Sequence, residues 1–150
     1  MSGIIDTNIL LYAANVDAPE HTRARTFLEE AVSEPGLWYL TEGICYEFFR
    51  VSTHTRVFPQ PLGAIQAFAF LEALLTTERF EVLSASRDHW KWLREVLNHV
   101  GHPAGNLFFD IRTVVLMREH GIRQIYTADT DFLQFDEIAV HNPFSSRYRQ

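Results

Sequence analysis

The 150-residue sequence lacks the features that mark several large classes of protein. Its single cysteine, Cys45, excludes an internal disulfide framework. No apolar run reaches the roughly 20 residues that a membrane-spanning helix needs. The N-terminal stretch does not fit a signal peptide, because Asp6 interrupts it and no basic region precedes it. We therefore expect a cytoplasmic protein.

Positive charge is scarce, and arginine carries nearly all of it. The formal net charge is −6, and Lys91 is the only lysine among the 13 lysine and arginine residues. This balance argues against binding to nucleic acid through overall positive charge. It does not exclude nucleic-acid binding at a metal ion held by clustered acids. Such an ion makes the local electrostatic potential positive.

The hydrophobic pattern predicts one α/β domain over residues 1–150, since 47% of the residues are hydrophobic and no linker or repeat divides them. Short apolar runs typical of strands alternate with stretches of helical periodicity. The predicted strands are 3–5, 37–40, 80–83, 124–127 and 138–140, and the predicted helices are 9–14, 19–33, 42–51, 64–75, 87–99 and 107–120. Thr41 is expected to begin the third helix, Ser84 or Ser86 to cap the fifth, and Gly121 to end the sixth. This alternation predicts a three-layer α/β/α fold with a mostly parallel sheet of four to five strands.

Acidic side chains follow two of the predicted strands. Asp6 comes directly after the first strand, and Asp129 and Asp131 follow the strand that ends at Thr127. The carboxyl ends of parallel strands meet at one edge of the sheet, which is where ligands bind in open α/β folds. The sequence therefore predicts that these carboxylates lie close together.

Two further acids are predicted to face the same region. Asp110 lies in the first turn of the helix that precedes the Thr127 strand. Glu47 lies on the same helical face as the apolar residues Ile44, Phe48 and Val51. It is therefore expected to point inward. A carboxylate on an apolar stripe is costly unless it is paired or binds a metal.

A cluster of four or five carboxylates requires protons or cations. Two bare charges about 4 Å apart repel by roughly 4 kcal/mol at an effective dielectric constant of about 20. Ligand sets made only of oxygen suit Mg²⁺ or Mn²⁺. Ions held in this way activate water and stabilise a phosphodiester transition state.

A simpler interpretation is available for each acid alone. Asp6, Asp110 and Asp129 each stand where an aspartate commonly caps a helix. Their joint placement with an inward Glu47 favours a functional site instead. Within such a site, Thr127 could hydrogen-bond a neighbouring carboxylate.

Four motifs, in order along the chain, resemble those of the PIN domain and, within it, of the VapC-type toxins of bacterial toxin–antitoxin pairs. The resemblance spans nearly the whole chain and is carried by Asp6-Thr7-Asn8, Glu47-Phe48-Phe49-Arg50, Asn106-Leu107-Phe108-Phe109-Asp110 and Thr127-Ala128-Asp129-Thr130-Asp131-Phe132. It implies an endoribonuclease that depends on Mg²⁺ or Mn²⁺, is inhibited by a small VapB-like antitoxin and forms homodimers.

The resemblance also implies roles for individual residues. The catalytic acids of the family fall on Asp6, Glu47, Asp110 and Asp129, of which Asp6, Asp110 and Asp129 hold the metal and Glu47 holds or orients a metal-bound water. The supporting residues are Asn8, Thr127 and Asp131, and Arg50 is a candidate for substrate binding. One departure stands out, because the family usually has small residues after the third acid and this chain has Ile111-Arg112-Thr113-Val114.

Two other functions remain as alternatives. Phosphoryl transfer through an aspartyl-phosphate also uses an acid after an early strand, but it needs a lysine near the phosphoryl group, and Lys91 lies within a predicted helix between two tryptophans. A non-catalytic PIN-like module that binds RNA or protein is the second alternative, although the complete set of acids disfavours it.

The remaining candidate residues have ordinary explanations. The seven histidines show no His-x-x-x-His spacing, and His54, His89, His99 and His102 are interpreted as surface or loop residues. Cys45 is interpreted as a packing residue. Arg112 is expected to pair with the carboxylates. A base-stacking role for the tryptophans is conceivable, but burial of one of Trp90 and Trp92 and partial exposure of the other are expected.

Overall fold

Five short parallel strands form the centre of the molecule, with helices on both sides. The computed structural model describes residues 1–145. The strands are β1 (Gly3–Ile5), β2 (Trp38–Thr41), β3 (Phe80–Leu83), β4 (Gln124–Tyr126) and β5 (Ala139–His141). The helices are α1 (Thr7–Ala14), α2 (His21–Ser33), α3 (Glu42–Ser52), α4 (Ala64–Leu75), α5 (His89–Leu97) and α6 (Leu107–Glu119), with a 3₁₀-helix at Thr130–Gln134. The predicted three-layer fold is confirmed.

Strand β1 lies in the middle of the sheet, whose order is β3-β2-β1-β4-β5 with every neighbouring pair parallel. Ile4 and Ile5 have no exposed surface, as expected for a strand covered on both faces. Gly3 is required next to them, because it has φ +154° and a Cβ there would lie 2.5 Å from the carbonyl oxygen of Gln124. The chain therefore reaches Asp6 from the most enclosed strand of the sheet.

Three aromatic rings pack α2 against the sheet. The ring centroid of Trp38 lies 5.3 Å from that of Phe27 and 4.9 Å from that of Tyr126, both in edge-to-face geometry. Such pairs contribute about 0.5–1.5 kcal/mol each beyond the burial of their surface. This packing joins β2 and β4, the two strands on either side of β1.

Two helix ends that were predicted from capping residues lie where the sequence places them. Thr41 caps α3 by accepting a hydrogen bond from the backbone N–H of Ile44 at 3.0 Å. Gly121 ends α6 with φ +69°, and the Ile122 N–H donates to the Met117 carbonyl at 2.8 Å. This is the glycine-terminated helix end that the sequence predicts.

Other boundaries differ from the prediction. Helix α2 begins at His21 rather than at residue 19, and β5 is displaced by one residue. The predicted serine cap of α5 is wrong, because the helix begins after Asp88 and Ser86 uses its hydroxyl to accept the Asp88 N–H in a local turn. Within residues 1–145, no helix is long and apolar enough to span a membrane.

Candidate active site

The acidic residues meet where the sheet reverses its order. From β1 the chain builds outward through β2 and β3, and it returns to the other side of β1 with β4 and β5. The Asp6 N–H donates to the Tyr126 carbonyl at 3.0 Å, so the ends of β1 and β4 lie side by side. A ligand site is expected at this kind of switch point.

The carboxylate of Asp6 is almost fully hydrogen-bonded within the protein. Its Oδ1 accepts the backbone N–H of Thr7 at 2.8 Å, and its Oδ2 accepts the Thr127 hydroxyl at 2.8 Å and the Asn8 side-chain amide at 3.2 Å. Asp6 is thus the N-cap of α1, one of the two interpretations that the sequence allows. The pKa of Asp6 is raised to about 6, chiefly by burial and in small part by the carboxylates of Glu47 and Asp129, while the hydrogen bonds from Thr127 and Thr7 act to lower it.

Thr127 and Asn8 connect the two strand ends. The Thr127 hydroxyl donates to Asp6 and accepts both the Asn8 side-chain amide and the Asp129 backbone N–H, each at 2.9 Å. Asn8 uses its carbonyl oxygen to accept the Ala128 N–H at 3.0 Å. The predicted hydrogen bond between Thr127 and a carboxylate is confirmed. These contacts fix the loop of Asp129 relative to Asp6.

Three carboxylates form the tightest group. Oxygen atoms of Asp110, Asp129 and Asp131 lie within 4.8 Å of one another. Asp129 also caps the 3₁₀-helix, since its Oδ1 accepts the Asp131 N–H at 2.8 Å. Asp131, expected from the sequence only as a supporting residue, lies in this trio, whereas Asp6 lies outside it.

The charge on Asp110 is the least favourable of the group. The pKa of Asp110 is raised to about 7, chiefly by burial and also by four neighbouring carboxylates, those of Asp129, Asp6, Asp131 and Glu47. Each of the five acids is thereby close enough to influence another, which confirms the predicted convergence. A donor set made of carboxylate oxygens, which repel one another without a cation, fits Mg²⁺ or Mn²⁺.

A cleft of about 560 Å³ opens in front of Asp6 and Asp110, between α3 and α6. We call it the acidic cleft. Glu47 is half-buried on its α3 wall, while Ile44 and Phe48 in the same helical row are buried, as predicted. The cleft is lined by Asp6, Thr7, Thr41, Gly43, Ile44, Tyr46, Glu47, Arg50, Asn106, Phe109, Asp110, Arg112 and Thr113.

Two arginines lie on the walls of the acidic cleft. Arg50 and Arg112 are exposed, and neither makes an ion pair within residues 1–145. The expected pairing of Arg112 with the carboxylates is therefore wrong. Its guanidinium crosses the first turn of α3, where a Cβ on Gly43 would lie 2.8 Å from Nη1.

Two exposed aromatic residues of the cleft, Tyr46 and Phe109, do not follow from the hydrophobic pattern. Apolar side chains on a helix are normally interpreted as core, yet 72% of Tyr46 and 65% of Phe109 is exposed. Only their position in the sequence indicates that they line the cleft, because each directly precedes an acid of the cluster on its helix.

Other predicted assignments are settled by their surroundings. Burial raises the pKa of the Cys45 thiol to about 11, which suits a packing residue. Trp90 is exposed and Trp92 is only half-buried, so the expected burial of one of these two tryptophans is wrong. The assignment of His89 to the surface is wrong, because its ring is half-buried and its Nδ1 lies 2.7 Å from Oε1 of Glu119.

Comparison with known proteins agrees with this geometry. The PIN domain sequence family matches residues 4–138. Ribonuclease VapC48 of Mycobacterium tuberculosis is 33% identical over 145 residues, which cover 97% of this chain and 99% of that protein. The chain belongs to the PIN-domain family and, within it, to the group of VapC ribonucleases.

Solved structures show the same fold. M. tuberculosis VapC20, described as a toxin that cleaves the sarcin–ricin loop, superposes with a TM-score of 0.67 at 20% identity, over 95% of this chain and 100% of that one. VapBC2 of Rickettsia felis, solved with a DNA fragment from its promoter, also superposes with a TM-score of 0.67, at 18% identity. The superposition covers 95% of this chain and 98% of that one. The resemblance seen in the sequence motifs is thus confirmed.

Proposed function

We propose that this chain is a metal-dependent endoribonuclease and the toxin of a VapBC-type toxin–antitoxin pair. The observation that carries the proposal is the cluster of five acids at the switch point of the sheet, three of which bring carboxylate oxygens within 4.8 Å of one another. The 33% identical relative is named a ribonuclease and is matched over nearly its whole length. The match to the PIN domain over residues 4–138 also supports one domain for residues 1–150.

Asp110, Asp129 and Asp131 hold the divalent ion in this proposal, and Asp6 completes the site from β1. When bound, Mg²⁺ or Mn²⁺ activates water and neutralises charge at the phosphodiester. Asp6 keeps a fixed orientation because Thr7, Asn8 and Thr127 hydrogen-bond its two oxygens.

Glu47 lines the acidic cleft together with Asp6 and Asp110. Its carboxylate accepts a hydrogen bond from the attacking water and so orients the water toward the phosphorus atom. Cleavage on the 3′-oxygen side of the phosphate leaves a 5′-phosphate and a 3′-hydroxyl. Supporting roles fall on Asn8 and Thr127, which hold the loop of Asp129, and Arg50 contacts the substrate from the wall of the cleft.

A protein partner is the second part of the proposal. The R. felis structure contains a VapBC pair, in keeping with a small VapB-like antitoxin as the partner here. We propose a homodimer for the chain itself, on the basis of its family. Co-expression with the product of a short neighbouring reading frame should relieve growth inhibition by this chain, and failure of every such product to do so would contradict the toxin assignment.

Phosphoryl transfer through Asp6 has less support. Lys91, the only lysine, is exposed on α5 and is not part of the acidic cleft. No lysine therefore approaches Asp6 to neutralise a phosphoryl group.

The test of the catalytic proposal is cleavage of RNA in Mn²⁺ by the wild-type chain and by Asp110→Asn. We expect the substitution to reduce the rate by at least 100-fold, because it removes a charged ligand without changing side-chain size. Asp17→Asn, at an exposed aspartate outside the cleft, is the matched control and should cleave normally. Wild-type cleavage by Asp110→Asn would contradict the assignment.

A further inference from the structure

The walls of the acidic cleft repeat one arrangement on two different helices. On α3 the exposed Tyr46 directly precedes Glu47, and on α6 the exposed Phe109 directly precedes Asp110. Both aromatic side chains line the cleft. An aromatic ring is thus placed beside an acid on each side of the opening.

An arginine follows each aromatic residue by about one helical turn. Arg50 is four residues after Tyr46, and Arg112 is three residues after Phe109. Residues at these spacings lie on the same face of a helix. Because both arginines lack an ion pair within residues 1–145, their guanidinium groups are available to an anion that enters the cleft.

The two rings are not explained by packing. Tyr46 contacts Phe49 edge-to-face, with centroids 5.9 Å apart, and this contact leaves 72% of Tyr46 exposed. Phe109 contacts no other aromatic ring of residues 1–145, and 65% of it is exposed. Exposed aromatic residues that alternate with arginines around a cleft are typical of surfaces that bind single-stranded nucleic acid.

We infer that Tyr46 and Phe109 are stacking platforms for unpaired bases on either side of the scissile phosphate, with Arg50 and Arg112 binding the adjacent phosphates. This inference rests on the proposed nuclease function and adds to it the residues that bind the bases and the phosphates. Bases in a duplex are already stacked on one another, so they present no free face to the two rings. The two rings therefore favour unpaired bases over paired ones.

The arrangement also resolves an electrostatic problem of the site. A phosphate that approaches five carboxylates is repelled, and the net charge of −6 supplies no general attraction. The guanidinium groups of Arg50 and Arg112, which both line the cleft, offset this repulsion at the cleft itself. Stacking adds attraction that does not depend on charge.

Binding of short RNA tests the inference separately from cleavage. All proteins carry Asp110→Asn, which prevents hydrolysis, and fluorescence anisotropy in Mn²⁺ measures the affinity for 5′-labelled octamers. The probes are oligoadenylate, a ribose-phosphate octamer without bases, and a fully paired duplex. The variants are Tyr46→Leu and Phe109→Leu, with Tyr46→Phe and Phe109→Tyr as conservative counterparts. Trp90→Leu is the surface control, because Trp90 is 75% exposed on α5 and outside the cleft.

Each leucine variant should weaken binding of oligoadenylate by at least about fivefold, the lower end of the effect of one stacked base. Binding of the octamer without bases should not change, and the duplex should bind more weakly than oligoadenylate. The conservative variants and Trp90→Leu should match the parent protein. Circular dichroism melts establish that each variant is folded.

Three results would overturn the inference: unchanged oligoadenylate binding in both leucine variants, an equal loss for the octamer without bases, or equal binding of duplex and single strand. Unchanged binding would assign the exposed rings to a protein partner instead. If these binding predictions hold while the wild-type chain cleaves no RNA, the proposed catalytic function fails and the stacking surface stands.

Discussion

The hydroxyl of Thr127 donates a hydrogen bond to Oδ2 of Asp6 at 2.8 Å, across 121 residues of sequence. The same oxygen of Thr127 accepts the Asp129 N–H at 2.9 Å. One hydroxyl thus sets the position of the acid after β1 relative to the acid after β4. The relative position of Asp6 and Asp129 depends on it.

Replacement of Thr127 by valine should impair the site while preserving the shape of the side chain. The substitution leaves Asp6 with one hydrogen bond fewer, and because that bond lowers the pKa of Asp6, the pKa should rise above about 6. The loss of a buried hydrogen bond costs about 1–3 kcal/mol of unfolding free energy. Urea denaturation measures this cost, and the acidic limb of the pH–rate profile should move to higher pH.

Thr127→Ser is the matched control, because it retains the hydroxyl and loses only a methyl group. It should keep the pH–rate profile of the wild type. If Thr127→Val and Thr127→Ser shift the profile equally, the hydrogen bond to Asp6 is not responsible.

The metal-free protein should lose stability as the pH rises, and Asp110 should be a principal cause. Its pKa is about 7 in the folded state against the ordinary aspartate value of 3.8, so the folded state binds more protons between these pH values. The free energy of unfolding therefore decreases from about pH 4 to pH 7 and is lowest above pH 7. Asp6, with a pKa of about 6, contributes in the same direction.

Asp110→Asn should reduce this pH dependence. Because Asp110 is only half-buried, solvent screening limits the effect, and we expect about 1–2 kcal/mol of stabilisation at pH 8 and little at pH 4. Chemical denaturation in EDTA at the two pH values measures it. An identical change in unfolding free energy between these pH values for Asp110→Asn and for Asp17→Asn would contradict the attribution.

Gly43 should affect RNA binding by allowing the guanidinium of Arg112 to lie against α3. An added Cβ would lie 2.8 Å from Nη1 of Arg112, so Gly43→Ala should displace the guanidinium. The far end of a flexible side chain moves easily, and alanine favours the helix by up to about 1 kcal/mol relative to glycine, so stability should not fall. RNA binding should weaken to the level of Arg112→Ala.

A double-mutant cycle examines this link between the two residues. Gly43→Ala should have no further effect on RNA affinity when Arg112 is already alanine, because both substitutions remove the same contact. An undiminished effect in the Arg112→Ala protein would show that Gly43 acts independently of the guanidinium.

The sheet and the convergence of the acids were predictable, because strong local signals specify them. Ile4 and Ile5 form a short apolar run that ends at Asp6, and strands of one parallel sheet present their carboxyl ends on the same edge. Helix periodicity placed Glu47 beside buried neighbours. These inferences need only chain order and side-chain type.

The finer arrangement depends on tertiary geometry that the sequence pattern does not contain. Asp131 joins the trio because the chain turns into a 3₁₀-helix at Thr130, whereas Asp6 lies outside it with its oxygens hydrogen-bonded to Thr7, Asn8 and Thr127. The direction of Arg112 depends on the close approach of α3 at Gly43. Exposure of Phe109 is likewise decided by which faces of α6 the neighbouring elements cover.

The most direct test of the central claim is calorimetric titration of the protein with Mn²⁺ at pH 8, for the wild type, Asp129→Asn, Asp131→Asn and Asp17→Asn. The central claim is that the acid cluster is a metal site. We predict saturable binding by the wild type and Asp17→Asn, and at least tenfold weaker binding by Asp129→Asn and Asp131→Asn, because each loses a charged ligand oxygen. Equal affinity in all four proteins, or no site-specific uptake by the wild type, would contradict the claim.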